Sequence, residues 1–321
     1  MKRLVILLMI LLIFTGCSEN QTALKSQQAE PTKVIEKSHI KDTTSTATIE
    51  KDNNSHDVQN SNNLNNNDTS TPVLIKGFLL GGLSKGVWLS SSEFYNSKIV
   101  NLDAFKYDVY KNDKMAGTAY GSLPTDPLSG GILKEDKYVE DFSVVNLYDK
   151  ENKKIDYDIA IKADWDLFPR KYINQSTKQK TYDTLVKNIL EEAGLVRPVS
   201  SLKQVIRVDL DGDGTEEVLI SADNTVNDQY NQVKKGDNSI VIFRKIVDGT
   251  VIDNVVEEDI RLKDEDSIYR LLFRIETVAD LDGDGIMEVI IRHWYYEGES
   301  WGIYKLKDNK LVMIATNGFG V

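Results

Sequence analysis

This 321-residue chain contains only one cysteine, three histidines and six prolines. A single cysteine excludes an intramolecular disulfide, so packing, backbone pairing or a bound ion must hold the fold. Three histidines leave few side chains that titrate near neutrality. Two of them, His39 and His56, lie in a polar stretch where no role is assigned, which leaves His293. No glycine-rich phosphate loop, nucleophile elbow or HExxH zinc motif is present. Positive charge is also short, with 39 Lys and Arg against 50 Asp and Glu, a formal net charge of −11. That balance argues against a nucleic-acid partner, and against adhesion to anionic lipid by charge alone. Beyond residues 4–14 no apolar run approaches the length of a membrane span.

Against these absences stands a nine-residue acidic loop that occurs twice. The first copy runs Asp209-Leu210-Asp211-Gly212-Asp213-Gly214-Thr215-Glu216-Glu217, and the second Asp280-Leu281-Asp282-Gly283-Asp284-Gly285-Ile286-Met287-Glu288. Both carry carboxylates at positions 1, 3, 5 and 9 and glycine at position 6. Clustered negative charge is unfavourable unless a cation occupies the centre. Hard oxygen ligands on a flexible loop suit Ca²⁺ better than Mg²⁺, which demands a stricter octahedron. Alternate residues of a tight loop point to one side, so the three Asp side chains can converge. Position 7, Thr215 or Ile286, can offer only its backbone carbonyl, and Glu217 or Glu288 closes the cage.

The spacing argues against an EF-hand. It requires a bidentate Glu at position 12. That position holds Ile220 in one copy and Ile291 in the other, each within a β-branched apolar run. Residues 205–208 and 218–220 flank the first loop, and 275–278 and 289–291 the second. Their composition predicts strands. Further strands are expected at 239–245 and 301–306, with hairpin turns at Asp248-Gly249 and Asp308-Asn309. Each copy therefore reads as four strands around one loop.

A strand–DxDxDG–strand unit with an acidic ninth residue resembles the FG-GAP and VCBS repeats of extracellular β-propellers. The resemblance covers residues 203–319. It implies two structural Ca²⁺ sites, with ligands Asp209, Asp211, Asp213, Thr215 and Glu217, then Asp280, Asp282, Asp284, Ile286 and Glu288. The repeat period is 71 residues, and two copies are too few to close a propeller ring.

The N-terminus carries a second signal. Lys2 and Arg3 precede an eleven-residue apolar run, Leu4 to Phe14, right for a signal-peptide core. Phe14-Thr15-Gly16-Cys17 then resembles the lipobox of bacterial lipoproteins, although Phe14 departs from the usual Leu. The resemblance implies removal of residues 1–16 and a lipid thioether on Cys17. That would place the chain outside the cytoplasm, anchored to a membrane or cell surface without spanning it. Residues 17–72 are rich in Ser, Thr, Asn, Gln and Lys, and read as a disordered tether.

Residues 73–175 read as an N-terminal β region, with strands expected at 73–80, 87–89, 105–110 and 115–120. The runs 142–147 and 155–161 are expected to pair with each other. Residues 176–200 are expected to hold a linking helix. Tyr182, Leu185, Val186, Ile189, Leu190 and Ala193 form one apolar stripe, with Thr181 as N-cap and Gly194 just past the end. The expected fold is mainly β with one or a few helices: an N-terminal β region and, over 201–321, two blade-like repeats bearing calcium loops.

No catalytic motif is found, and His293 reads as a packed or surface strand residue. The expected function is a calcium-binding adhesion, ligand-binding or envelope-scaffold module. The alternative is a cell-envelope hydrolase using carboxylates outside the loops. Trp294, Tyr295, Tyr296 and Trp301 are candidate contacts for an unknown protein or carbohydrate ligand. The competing reading is that these aromatics pack between sheets.

Overall fold

The computed structural model describes residues 70–125, 143–224, 233–265 and 269–320. The apolar run, Cys17 and the tether up to residue 69 lie outside the described residues. The first three elements are β1 (Thr71–Ile75), β2 (Phe78–Ser84) and β3 (Val87–Ser90), followed by α1 (Ser91–Ser97). Then come β4 (Lys106–Lys111), β5 (Lys114–Gly121), β6 (Leu147–Tyr148), β7 (Ile159–Ile161) and β8 (Ile173–Asn174). After α2 (Lys180–Glu192) follow β9 (Ser201–Val208), β10 (Glu217–Asp223), β11 (Asn238–Val247) and β12 (Thr250–Ile260). The chain finishes with β13 (Leu272–Ala279), β14 (Glu288–Tyr295), β15 (Gly298–Lys307) and β16 (Lys310–Gly320). The protein is β-rich, and its strand pairings are antiparallel.

Three sheets result. The N-terminal sheet has the order β3-β2-β1-β7-β4-β5-β6. The first repeat sheet runs β12-β11-β10-β9-β8, and the second β13-β14-β15-β16. Each acidic loop joins the first two strands of a four-strand meander, β9 to β10 and β13 to β14. The hairpins at Asp248-Gly249 and Asp308-Asn309 have positive φ at both central residues. That is the type I′ geometry whose twist matches the flanking strands.

The sheets stack because the second repeat sheet is apolar on both faces. On β14, Val289 and Ile291 enter a core shared with Val208, Leu219, Val241 and Phe243 of the first repeat sheet. Ile290, between them, faces the other way, toward Val73, Ile75, Ile159 and Ile161 of the N-terminal sheet. Successive side chains of a strand alternate faces, so a strand covered on both sides reads as an unbroken apolar run. The outer face of the first repeat sheet is covered by Val186 and Leu190 of α2, and that of the N-terminal sheet by Phe94 of α1. Full burial of each such side chain is worth about 1.5–3 kcal/mol, so the middle sheet anchors the stack.

Three expectations are corrected. Thr71 and Pro72, assigned to the tether, open β1. The segments 142–147 and 155–161 meet only at their near ends, where Ile155 N–H donates to Leu147 O and Tyr148 bridges Lys154; beyond that, β7 inserts between β1 and β4, and β6 pairs with β5. Helix α2 starts earlier than Thr181, and its N-cap Gln179 makes no side-chain cap bond. Its end is as expected: Gly194 has φ 103°, and Leu195 N–H donates to Leu190 O while Gly194 N–H donates to Glu191 O. These bonds satisfy the carbonyls left open by the last turn. Helix α1 was not foreseen. Its signal was present in Ser90 and Glu93, which form a reciprocal capping box.

Candidate metal loops

The two loops fold alike. At position 1 the carboxylate turns inward and accepts backbone N–H groups from the glycines at positions 4 and 6. In the first loop Asp209 Oδ1 accepts from Gly212 (2.7 Å) and Oδ2 from Gly214 (3.1 Å). In the second, Asp280 accepts from Gly283 (2.7 Å) and Gly285 (3.0 Å). Position 5 accepts from position 7: Thr215 N–H donates to Asp213 and Ile286 N–H to Asp284. At position 9, Glu217 accepts from Leu210 N–H and Glu288 from Leu281 N–H, both at 2.8 Å. Those hydrogen bonds curl the chain so that the carboxylates converge. Oxygens of Asp209, Asp211 and Glu217 lie within 4.8 Å of one another, as do those of Asp280, Asp282 and Glu288. Each of these acidic triads can hold a metal ion.

A lysine reaches into each loop, and the sequence reading missed both. Lys245 Nζ lies 2.9 Å from Asp211, 3.3 Å from Asp213 and 2.5 Å from Glu217. Lys305 Nζ lies 2.5 Å from Asp282, 2.7 Å from Asp284 and 3.3 Å from Glu288. The contacted positions are 3, 5 and 9 in both cases. Each lysine stands on the third strand of its meander, one residue beyond the pair Val218–Arg244 or Val289–Tyr304. The lysine follows Glu217 by 28 residues but Glu288 by only 17. That unequal spacing hid the equivalence.

Burial dominates the electrostatics. It pushes the Glu288 carboxyl up to about 8, with the Asp282 charge adding to the rise. It also raises Glu217 and Asp280. Asp213 is held below the ordinary carboxylate value by the Thr215 N–H. Burial alone would discharge the two lysines, but the surrounding carboxylates hold both above the usual ammonium value. Two buried oxygens still lack a hydrogen bond, Asp211 Oδ1 and Glu288 Oε1. The Lys305 ammonium lies 3.3 Å from Glu288 Oε1 without hydrogen-bonding it.

The segment 165–170 ties the loops together. Arg170 donates to Asp209 O (2.5 Å) and Leu210 O (2.8 Å) of the first loop, and to Gly285 O (2.6 Å) of the second. Met287 N–H donates directly to Leu210 O. Trp165 Nε1 donates to Asp280 O, and Leu167 O accepts from Asp280 N–H. The two loops are therefore neighbours, sharing one guanidinium.

The candidate aromatic contacts divide. Trp301 is 2% exposed, and its ring lies 4.7 Å from that of Phe78 in the core. Its indole is part of the packing between sheets and is withdrawn as a ligand contact. Arg274 and Arg292 both approach the Trp294 ring, with guanidinium carbons 5.3 and 5.2 Å from its centre. Such contacts favour a cation over an aromatic face. Tyr295 and Tyr296 gather on Tyr269 at 5.9 and 5.7 Å, and Tyr296 is 54% exposed.

His293 is packed edge-on against Phe273. Its Nε2 lies 3.3 Å from the Tyr304 hydroxyl and 3.6 Å from Glu257, and Ser300 Oγ lies 3.4 Å from Nδ1. The Tyr304 hydroxyl donates to Glu257. Burial lowers His293 to about 4 and raises Glu257 to about 7. This cluster bridges the two repeat sheets. It does not line either of two clefts elsewhere, one of about 630 Å³ beside Lys76, Lys111 and Asp156, and one of about 370 Å³ beside Asp113, Tyr172 and Glu276.

Compared with protein-family models, curated proteins and solved structures, the chain matches none of them.

Proposed function

We propose that this chain is a calcium-stabilised β module, held outside the cytoplasm by a lipid on Cys17, that binds a protein or carbohydrate ligand or serves as an envelope scaffold. The observation that carries the metal reading is the repetition of one geometry. Two loops place carboxylates from positions 1, 3 and 9 around one point, and in the second a fully buried Glu288 oxygen has no hydrogen bond. All the side-chain ligands are oxygens on glycine-containing loops, the donor set and flexibility that Ca²⁺ favours. Repeats of the FG-GAP kind use such loops in the blades of β-propellers, and the two four-strand meanders are read here as blade-like units of that sort.

The metal's work in this reading is structural. An ion bound only by the folded chain stabilises it by mass action, and extracellular oxygen-ligand sites typically bind at about 10⁻⁴–10⁻³ M. Arg170 couples the loops, so two ions would stiffen one end of the stacked repeat sheets. The group of Tyr269, Tyr295 and Tyr296 is the surface assigned to a ligand, and Trp294, under Arg274 and Arg292, is a separate candidate contact. Aromatic faces open to solvent suit a sugar ring or an extended peptide.

Calcium calorimetry on the purified chain, paired with thermal unfolding in EDTA and in calcium, tests the metal reading. Two ions per chain and a midpoint that rises with calcium are expected. Asp209→Ala and Asp280→Ala should each remove one ion. A midpoint indifferent to calcium, with no heat of binding, would sink the proposal. Mass spectrometry of the cell-derived chain tests the anchor, since a diacylglyceryl group on a new N-terminal Cys17 is required.

A further inference from the structure

Each loop already contains a cation of its own. The ammonium groups of Lys245 and Lys305 touch carboxylates at the same three positions, 3, 5 and 9. Two of those positions, 3 and 9, belong to the triads whose oxygens converge within 4.8 Å. A calcium ion needs oxygens at about 2.3–2.6 Å, so it would draw on the same carboxylates that the ammonium now contacts. Two cations sharing these carboxylates repel each other and compete for them. The lysines are also not incidental surface charges. Their side chains are 5% and 14% exposed, and a buried ammonium is strongly unfavourable unless it is paired.

The ammonium leaves the loop only partly satisfied. It does not contact position 1, where Asp209 and Asp280 are occupied by glycine N–H groups. One positive charge faces four carboxylates in each loop. Glu288 Oε1, in a fully buried residue, has the Lys305 ammonium at 3.3 Å and no hydrogen bond. The four-carbon lysine stem is flexible and its charge is a compact point. It can withdraw toward solvent past the position-5 carboxylates, Asp213 and Asp284, which are 45% and 42% exposed.

We propose that Lys245 and Lys305 are exchangeable counter-ions that hold the loops closed without metal and must be displaced when a divalent cation enters, so that they set the metal affinity. The inference rests on the metal reading above. It gives the chain two competent states, one held by ammonium and one by metal. The fold then survives the loss of calcium, and binding stays weak enough to be reversible.

The test uses the full chain, Ca²⁺ alone as probe, and the variants Lys245→Met and Lys305→Met. Calorimetry at fixed ionic strength should show calcium binding at the altered loop tightened by about tenfold or more, because the competing charge is gone. The metal-free melting midpoint should fall in the same variants. Should a Met variant fold only with calcium, the affinity is read by competition with a chromophoric chelator. Lys245→Gln and Lys305→Gln, which keep a hydrogen-bond donor, should then show the tightening in a chain that folds without metal. Wild-type and Met or Gln chains that bind calcium with equal affinity would overturn this inference and leave the metal reading standing. Weaker binding in the variants would also overturn it, since the lysines would then be helping the ion. Absence of calcium binding in every form would remove both.

Discussion

The two acidic loops share a spacing, an internal hydrogen-bond pattern and a lysine, yet they sit in different surroundings. The first lies on an outer repeat sheet, with Asp209 partly exposed. The second lies on the middle sheet, where Asp280 is 3% exposed and Trp165 covers the turn. The same motif therefore meets two dielectric environments. In the buried copy the carboxyl at position 9 is pushed up to about 8, whereas in the outer copy the neighbouring ammonium and backbone donors offset more of the burial. Converging carboxylates are a local property of the loop. How much a cation is needed there depends on what packs over it.

Arg170 is what the two loops hold in common, and removing it should break the comparison most severely. Arg170→Ala leaves three backbone carbonyls, from both loops, without their charged donor. A loss of about 3–4 kcal/mol in metal-free stability is expected from such bonds. Denaturant titration reads it directly. A loss under about 1 kcal/mol would show that the loops do not depend on this bridge.

A pH series should separate the loops next. Glu288 in the folded chain titrates near 8, above its ordinary value of 4.5. A raised carboxyl binds more protons when folded than when unfolded. Its contribution is therefore complete below about 4.5 and is lost as pH rises through 8. Metal-free stability should fall by about 5 kcal/mol over that window through this group. Glu288→Gln should flatten the decline, and Glu217→Gln should flatten it less. Equal slopes in the two variants would refute the difference in burial.

The glycines at position 4 give the smallest contrast. Gly212 and Gly283 have φ of 76° and 75°, so alanine strains either. A Cβ at Gly283 would fall 2.9 Å from the Trp165 ring, whereas one at Gly212 would meet the Arg170 guanidinium less closely, at 3.2 Å. Gly283→Ala should cost about 2–3 kcal/mol and Gly212→Ala about 1 kcal/mol. Matched thermal melts would show the gap, and its reversal would mean that Trp165 yields more easily than Arg170.

Much of this was legible from the chain. The loops could be read because their geometry is set within nine residues, by carboxylates that accept nearby N–H groups. The Asp248-Gly249 and Asp308-Asn309 hairpins could be read for the same reason. Helix α2 showed its stripe, although its first turn begins before Thr181 without a side-chain cap. Helix α1 was overlooked despite the capping box of Ser90 and Glu93. Its seven residues are too few to display a helical period.

What could not be read depends on distance along the chain. The insertion of β7 between β1 and β4 joins segments about 50–90 residues apart, and no local pattern encodes that choice. Trp301 looked like one more aromatic in a polar stretch until Phe78 covered it. Arg170 carries no motif. It acquires its role only because two loops 71 residues apart meet around it.

By itself, then, the sequence determined the converging carboxylates, the hairpin turns and the β-rich character, because these follow from backbone preferences and side-chain alternation over a few residues. The tertiary structure alone decided which cation sits among those carboxylates, how deeply each loop is buried, and that one arginine serves both. Those outcomes depend on sheets stacking face to face, and stacking is driven by apolar surfaces that carry no record in sequence of which partner they will meet.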